Sequence, residues 1–150
     1  MRIAVGSDHA GFEGPPPFYK PAVSEHLSTL GHEVLDCGTC GPEAVDYPEV
    51  AQRVCAAVLK GEADCGVLIC GTGIGVSIAA NRHKGIRAAV CCSPETARLS
   101  RTHNNANVLC LGRRSLTLEA CLELLGVWLS APFSGEARHQ RRVEKMDEIS

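Results

Sequence analysis

Short apolar runs alternate along the chain with longer stretches whose apolar residues recur at helical spacing. Arg2-Ile3-Ala4-Val5-Gly6 reads as a first strand, and residues 21–30 as a helix with Pro21 in its first turn and Gly31 just past its end. Glu33-Val34-Leu35-Asp36 is a second strand. Pro48 to Lys60 is a second helix, with Asp46 as its candidate cap and Gly61 as its stop. Cys65 to Cys70 forms a third strand, Gly73 to Asn81 a third helix and Ile86 to Cys92 a fourth strand. Ser93-Pro94-Glu95 supplies a cap, a first-turn proline and a first-turn acid for a fourth helix. Asn107 to Leu111 is a fifth strand, followed by a helix from about Thr117 to Leu129. The polar segment from about Gly135 to Ile149 predicts a C-terminal helix. Glu13-Gly14-Pro15-Pro16-Pro17 cannot be helical throughout and predicts a stiff loop before the first helix.

Five buried-type strands, each followed by a helix, predict an α/β protein: a three-layer α/β/α sandwich around a five-stranded parallel sheet, closed by a C-terminal helix. Ligands of such sheets sit beyond the carboxyl ends of the strands, where strand order reverses. The loops to inspect are therefore Ser7 to Gly11, Asp36 to Tyr47, Gly71 to Gly75, Ser93, and Gly112-Arg113-Arg114.

At 150 residues the chain predicts one domain, residues 1–150, with no repeat or linker. A net charge of −2 argues against non-specific attraction to nucleic acid or to an anionic membrane, and aromatics at 4% leave few stacking platforms for single strands. No apolar run approaches the ~18 residues that suggest a membrane span. The first strand begins at once, leaving no room for a leader. Nine cysteines, an odd number with several inside apolar runs, predict a reducing cytoplasm in which most serve as small buried hydrophobes.

The third strand ends in Cys70-Gly71-Thr72-Gly73-Ile74-Gly75. Three glycines in five positions let the backbone turn tightly and aim several amides at one ligand, at a helix start that favours negative charge. Val76 stands where a dinucleotide fingerprint has its third glycine, and no lysine precedes a Ser or Thr as in a nucleotidase phosphate loop. The glycines equally suit plain punctuation. Cys70, at the rim of this loop, is placed to act as a thiolate nucleophile or base, or else is one more buried cysteine. Asp8 and His9, at the end of the first strand, suit sugar hydroxyls or a phosphate, unless Asp8 simply caps backbone amides. His103 is a candidate proton carrier or an exposed loop histidine. Arg138 and Arg142 share one helix face and suit a phosphate dianion, as does the pair Arg113-Arg114; a solvated charged face explains the tail equally well. Cys37-Gly38-Thr39-Cys40 has Cys-x-x-Cys spacing but no second ligand pair and no following helix, and is read as coincidence.

Taken together, several segments resemble the ribose-5-phosphate isomerase type B family, which includes allose- and galactose-6-phosphate isomerases. They are Gly6-Ser7-Asp8-His9-Ala10-Gly11-Phe12, Asp46-Tyr47-Pro48, and Ile69 to Gly75 with Ile78-Ala79-Ala80-Asn81. Gly85-Ile86-Arg87-Ala88, Ala97 to Arg101 with His103 to Asn107, and Arg138-His139-Gln140 with Arg142-Val143 complete the resemblance, which spans essentially the whole chain. It implies a Rossmann-like fold and an aldose–ketose isomerase without cofactor or metal. It also implies a homodimer or a homotetramer whose sites are shared between subunits, and a sugar phosphate as substrate.

By that resemblance Cys70 is the base that moves a proton between C1 and C2; relatives that use a glutamate carry it where this chain has Val76. Thr72 resembles the residue that shuttles hydroxyl protons, and the amides of Gly71, Gly73 and Gly75 an anion hole for the enediolate. His103 resembles the ring-opening acid and base, supported by Asp8. Tyr47 and Asn104 resemble sugar contacts. His9, Arg114, Arg138 and Arg142 resemble a phosphate clamp partly lent by the neighbouring subunit. The expected reaction interconverts ribose 5-phosphate and ribulose 5-phosphate. The alternatives are a six-carbon sugar phosphate as substrate, or a non-catalytic sugar-phosphate-binding module. Two features depart from the family pattern: a longer, proline-rich stretch between Phe12 and Val23, and the pair Cys37 and Cys40.

Overall fold

The computed structural model describes residues 1–149. Strands β1 (Arg2–Ser7), β2 (Glu33–Asp36), β3 (Cys65–Cys70), β4 (Ala88–Val90) and β5 (Val108–Gly112) form one all-parallel sheet in the order β2-β1-β3-β5-β4. The helices are α1 (Tyr19–Thr29), α2 (Tyr47–Leu59), α3 (Ile74–Ala80), α4 (Pro94–Thr102), α5 (Leu118–Ser130) and α6 (Ala137–Asp147), and a 3₁₀ turn covers His9–Phe12. The predicted three-layer arrangement is therefore the one observed.

The two faces of the sheet follow from strand periodicity. Ile3, Val5, Val67, Ile69, Leu109 and Leu111 point toward α1, α4 and α5, where they meet Val23, Leu27, Ala97, Leu125 and Trp128. Ala4, Leu68, Cys70, Val108 and Cys110 point the other way, against Val50, Val54 and Cys55 of α2 and Val76 and Ala80 of α3. The central strands β3 and β5 are buried along their whole length, as a doubly covered parallel strand requires. Trp128 is fully buried and its Nε1 donates to Ser100 Oγ at 3.1 Å, so its one polar atom is satisfied.

Local signals act as expected at several helix starts. Ser93 and Thr96 form a reciprocal capping box on α4, with Thr96 N–H donating to Ser93 Oγ at 3.2 Å and Ser93 N–H to Thr96 Oγ1 at 3.1 Å. Thr117 Oγ1 accepts from Ala120 N–H at 3.2 Å on α5. Asp46 occupies the cap position of α2, but its side chain makes no capping bond. The first helix begins at Tyr19, two residues ahead of the expected start, which puts Pro21 inside its first turn. Strand β4 is shorter than the apolar run 86–92; on its entry side Asn107 Oδ1 accepts from Arg87 N–H and Asn81 Oδ1 from Ala88 N–H, both at 2.8 Å.

The chain runs from β1 out to β2 and then returns past β1 to β3. Strand order reverses between β1 and β3, and their carboxyl ends open the crevice where this architecture binds ligands.

Candidate active site

Cys70, the last residue of β3, and Asp8 and His9, just past β1, flank that crevice. The side chains of Tyr47, Thr72 and Arg114 join them around a cleft of about 270 Å³ floored by Gly71 and Gly75. A larger cavity, about 450 Å³, lies on the β4 side, lined by Ile86, Arg87, Asn104 and Met146 among others. The smaller cleft is the candidate site, because it joins a thiol, an imidazole, a carboxylate and a guanidinium at the topological switch point.

Backbone geometry builds the floor. Arg113 N–H donates to Cys70 O at 2.9 Å and Arg114 N–H to Gly71 O at 2.7 Å, so the loop after β3 is latched to the segment after β5. Gly73 caps α3 with φ +79°, and a Cβ there would lie 3.1 Å from the carbonyl carbon of Leu111. Glycine is required on both counts. This conformation aims Gly73 N–H at Cys70 Sγ, 3.2 Å away, and a donor in that place supports negative charge on the sulfur. Ile74 N–H is taken by Thr72 Oγ1 at 3.3 Å. The amides of Gly71, Thr72 and Gly75 have no acceptor among the described residues. The Tyr47 ring lies over Gly75, where a Cβ would come within 2.9 Å of its Cζ.

Cys70 is only 4% exposed, yet it borders the cleft. Burial pushes the Cys55, Cys65 and Cys121 thiols up to about 11 and drives Cys110 well above its ordinary value. Those thiols are inert core residues. The expectation that the remaining cysteines are buried holds for Cys55, Cys65, Cys91, Cys110 and Cys121; Cys40 and Cys92 are exposed and Cys37 is half-buried. Cys92 follows β4 at the loop to α4, beyond the cover that the apolar run suggests.

Asp8 caps the 3₁₀ turn, with Oδ1 accepting from Ala10 N–H at 2.9 Å. The carboxylate is thus structural as well as cleft-facing. His9 Nδ1 is buried without a partner among the described residues. Arg114 is gripped by Glu13, its Nη2 donating to Oε1 at 2.8 Å.

The remaining predicted residues lie elsewhere in the protomer. α4 runs back along the sheet, and His103 sits at its end, beside the amino ends of β4 and β5. The register pairs Gly66 with Val108 at that end and Cys70 with Gly112 at the other, with roughly 13 Å of strand between them, so His103 and Cys70 lie at opposite ends of the sheet. Within one protomer, therefore, Asp8 does not support His103, which instead stacks on His139 with ring centroids 4.2 Å apart. Asn104 faces the larger cavity. Arg138 and Arg142 are exposed on α6, which is joined to the same end of the sheet through His139 and the Asp147–Arg87 ion pair at 2.9 Å. Arg138 pairs with Glu136 at 2.9 Å. The candidate residues thus form two groups at opposite ends of the sheet: Asp8, His9, Tyr47, Cys70 to Gly75 and Arg114 at one, His103, Arg138 and Arg142 at the other.

Two residues that contact these groups carry no signature of their own in the sequence. Glu13 acts through a partner 101 positions away, a distance no local pattern spans. His139 was visible only as part of a matching motif; its buried ring, with Nδ1 2.7 Å from Ser134 Oγ, becomes meaningful only through the stack. Among the described residues, no three His, Cys, Asp or Glu side chains gather as metal ligands.

The chain is similar to known proteins along nearly its whole length. The sequence model of the family described as ribose/galactose isomerase matches residues 3–146. Ribose-5-phosphate isomerase B of Escherichia coli K12 is 48% identical over 148 residues, covering 99% of this chain and 95% of the relative. The Mycobacterium tuberculosis protein of the same name is 36% identical over 149 residues, covering 99% and 89%. Among solved structures, ribose-5-phosphate isomerase B of Clostridium thermocellum superposes with a TM-score of 0.94 at 48% identity, covering 99% of this chain and 97% of that one. The type B enzyme of Trypanosoma brucei gives 0.92 at 42% identity, with 99% and 98% covered. With a floor of amides under a thiol at the switch point of a doubly wound sheet, and full-length relatives of the same fold, the chain belongs to the ribose/galactose isomerase family.

Proposed function

We propose that the protein interconverts ribose 5-phosphate and ribulose 5-phosphate, acting as one sugar-phosphate isomerase domain over residues 1–150. The observation that carries this reading is the placement of Cys70 Sγ beside the Gly71–Gly75 amides, with Arg114 at the edge of the same cleft. The five-carbon substrate follows the relatives, which are named for ribose 5-phosphate.

The chemistry is a proton transfer beside a carbonyl. On the open-chain aldose, the Cys70 thiolate takes the proton from C2. The electron pair forms a C1–C2 double bond and leaves negative charge on O1, where the loop amides stabilise the enediolate more than the ground state. The O2 proton passes to O1 by way of the Thr72 hydroxyl, the C2–O2 carbonyl forms, and C1 takes back the proton from the Cys70 thiol. Atoms and charge balance, and the thiolate is regenerated. His9 and Arg114 hold the phosphate away from the reacting carbons, and that remote binding energy positions the substrate. Tyr47 walls the sugar.

His103, Asn104, Arg138 and Arg142 enter this scheme from a second copy of the chain, in which His103 opens the furanose ring and the arginines complete the phosphate clamp. The geometry supports this: one protomer holds the two groups of residues at opposite ends of its sheet. Ile74 and Ile78 of α3, 54% and 62% exposed beside the Cys70 loop, offer an apolar surface for the other copy. We read the assembly as a homodimer or homotetramer. Among the described residues no helix is long and apolar enough to cross a membrane. The nine unpaired cysteines support a reducing cytoplasm as the compartment.

The test is direct. Purified protein is assayed on ribose 5-phosphate and on allose 6-phosphate, with solvent deuterium as a second readout. The expected outcome is turnover of the pentose with deuterium entering C2 of ribose, and loss of activity by on the order of 10³-fold or more in Cys70→Ala, with melting behaviour unchanged. Preference for the hexose would shift the substrate assignment. Phosphate-sugar binding without deuterium exchange would make the protein a binding module.

A further inference from the structure

The segment Glu13-Gly14-Pro15-Pro16-Pro17 is tied down at one end in an unusual way. Arg113 donates from Nε and Nη2 to the Glu13 carbonyl oxygen at 3.3 and 3.2 Å. The Arg113 guanidinium lies 4.6 Å above the Tyr19 ring, and Tyr19 Oη donates to Leu116 O at 2.8 Å. Gly14 has φ +80°, and a Cβ at that position would come within 2.7 Å of Arg113 Nη2, so the approach of Arg113 depends on glycine there. The Glu13 main chain is thereby fixed against the segment that follows β5.

The fixed residue presents its carboxylate to Arg114. Nε donates to Oε2 at 2.9 Å and Nη2 to Oε1 at 2.8 Å, the planar fork-to-fork arrangement that constrains a guanidinium most strongly. This leaves Nη1 uncommitted. Nη1 is also the Arg114 atom nearest the floor of the cleft, 3.1 Å from where a Cβ of Gly71 would stand. An unrestrained arginine gives up side-chain freedom when it binds an anion; one already held by its far edge gives up less. We propose that Glu13 is a positioning residue, which sets the guanidinium of Arg114 with Nη1 directed into the cleft, ready for the phosphate of the substrate. This inference rests on the reading of Arg114 as a phosphate ligand. The salt bridge holds the Glu13 carboxyl below the usual carboxylate range, so the grip persists at neutral pH.

A carboxylate beside an anion site also repels the anion, and the experiment separates the two effects. Wild-type protein, Glu13→Gln, Arg114→Ala and the double variant are compared in full-length form. Inorganic phosphate binding is followed by calorimetry, and KM and kcat are measured with ribose 5-phosphate. Gln keeps the size of Glu but replaces one acceptor of the fork with a donor. If Glu13 positions Arg114, Glu13→Gln weakens phosphate binding and raises KM by about fivefold, leaves kcat within about twofold, and adds nothing in the Arg114→Ala background. A merely structural role would lower stability and kcat together. Unchanged or tighter phosphate binding in Glu13→Gln, with weakened binding in Arg114→Ala, overturns the proposal. If Arg114→Ala itself leaves phosphate affinity unaltered, the assignment of Arg114 has failed and the positioning role falls with it. The phosphate measurement keeps its meaning even on an enzyme that prefers another sugar.

Discussion

At the scale of single residues, the histidine pair at the end of α4 carries a pH signature. Burial, and then the neighbouring His103 ring, hold the His139 imidazole below its ordinary value; Arg138 and Arg142 act in the same direction and Glu136 against it. The folded protein therefore prefers the neutral ring, whereas the unfolded chain binds its proton near ~6.5. The contribution to stability is complete above the unfolded value and is lost as pH falls from there through the lowered folded value. Thermal melts should drop between about pH 7.5 and pH 5.5, and His139→Gln should flatten that difference. Glu13 changes stability in the same direction, with its contribution lost as pH falls from the ordinary carboxylate value through its lowered folded one. A pH-independent melting temperature in wild-type protein would contradict a buried His139 ring held in its neutral form.

At the scale of elements, one buried cation ties three of them together. The Lys20 side chain of α1 is 4% exposed, and its Nζ lies 2.6–2.7 Å from both Asp36 oxygens at the end of β2 and 2.7 Å from Thr39 O in the next loop. The Phe12 ring, at the end of the 3₁₀ turn, closes the other side at 5.8 Å. Lys20→Met should cost about 2 kcal/mol in chemical denaturation, since the loop carbonyl and Asp36 lose a charged donor. Little of this was legible in the sequence: a lysine between Tyr19 and Pro21 reads as a surface residue. The elements themselves were legible. β2 and β3 have the expected bounds, because turn residues close in on short stretches of strand-forming residues at both ends. Misplacements came where side chains intervene: Asn81 and Asn107 take amides on the entry side of β4, and Asp46 leaves its capping place unused.

At the scale of the molecule, the Cys70 half of the candidate site was legible because it collects at strand ends, whose position the α/β alternation dictates. The His103 half matched a motif directly ahead of the fifth strand, but nothing in the local pattern relates that amino end to Cys70 at the far end of the sheet. The structure puts it at the amino ends of β4 and β5, which is why a second copy enters the proposed function. That arrangement predicts complementation. Cys70→Ala and His103→Ala proteins, each inactive on the ring-closed pentose, should regain activity when unfolded and refolded together, because a mixed dimer keeps one site with both groups intact. Random pairing gives about a quarter of the wild-type activity, while a site made within one chain gives none.

The floor of the cleft at Gly71 and Gly75 is main chain, in a loop anchored where Gly73 presses on Leu111. A surface of amides registers where an oxygen carries charge, and is blind to how many carbons follow it. Pentose and hexose look alike from below. Discrimination by length falls to the walls, to Tyr47 and to whatever meets the sugar from the far side, so substrate range in these proteins can drift by exchanging a few wall residues while the reactive step stays as it is.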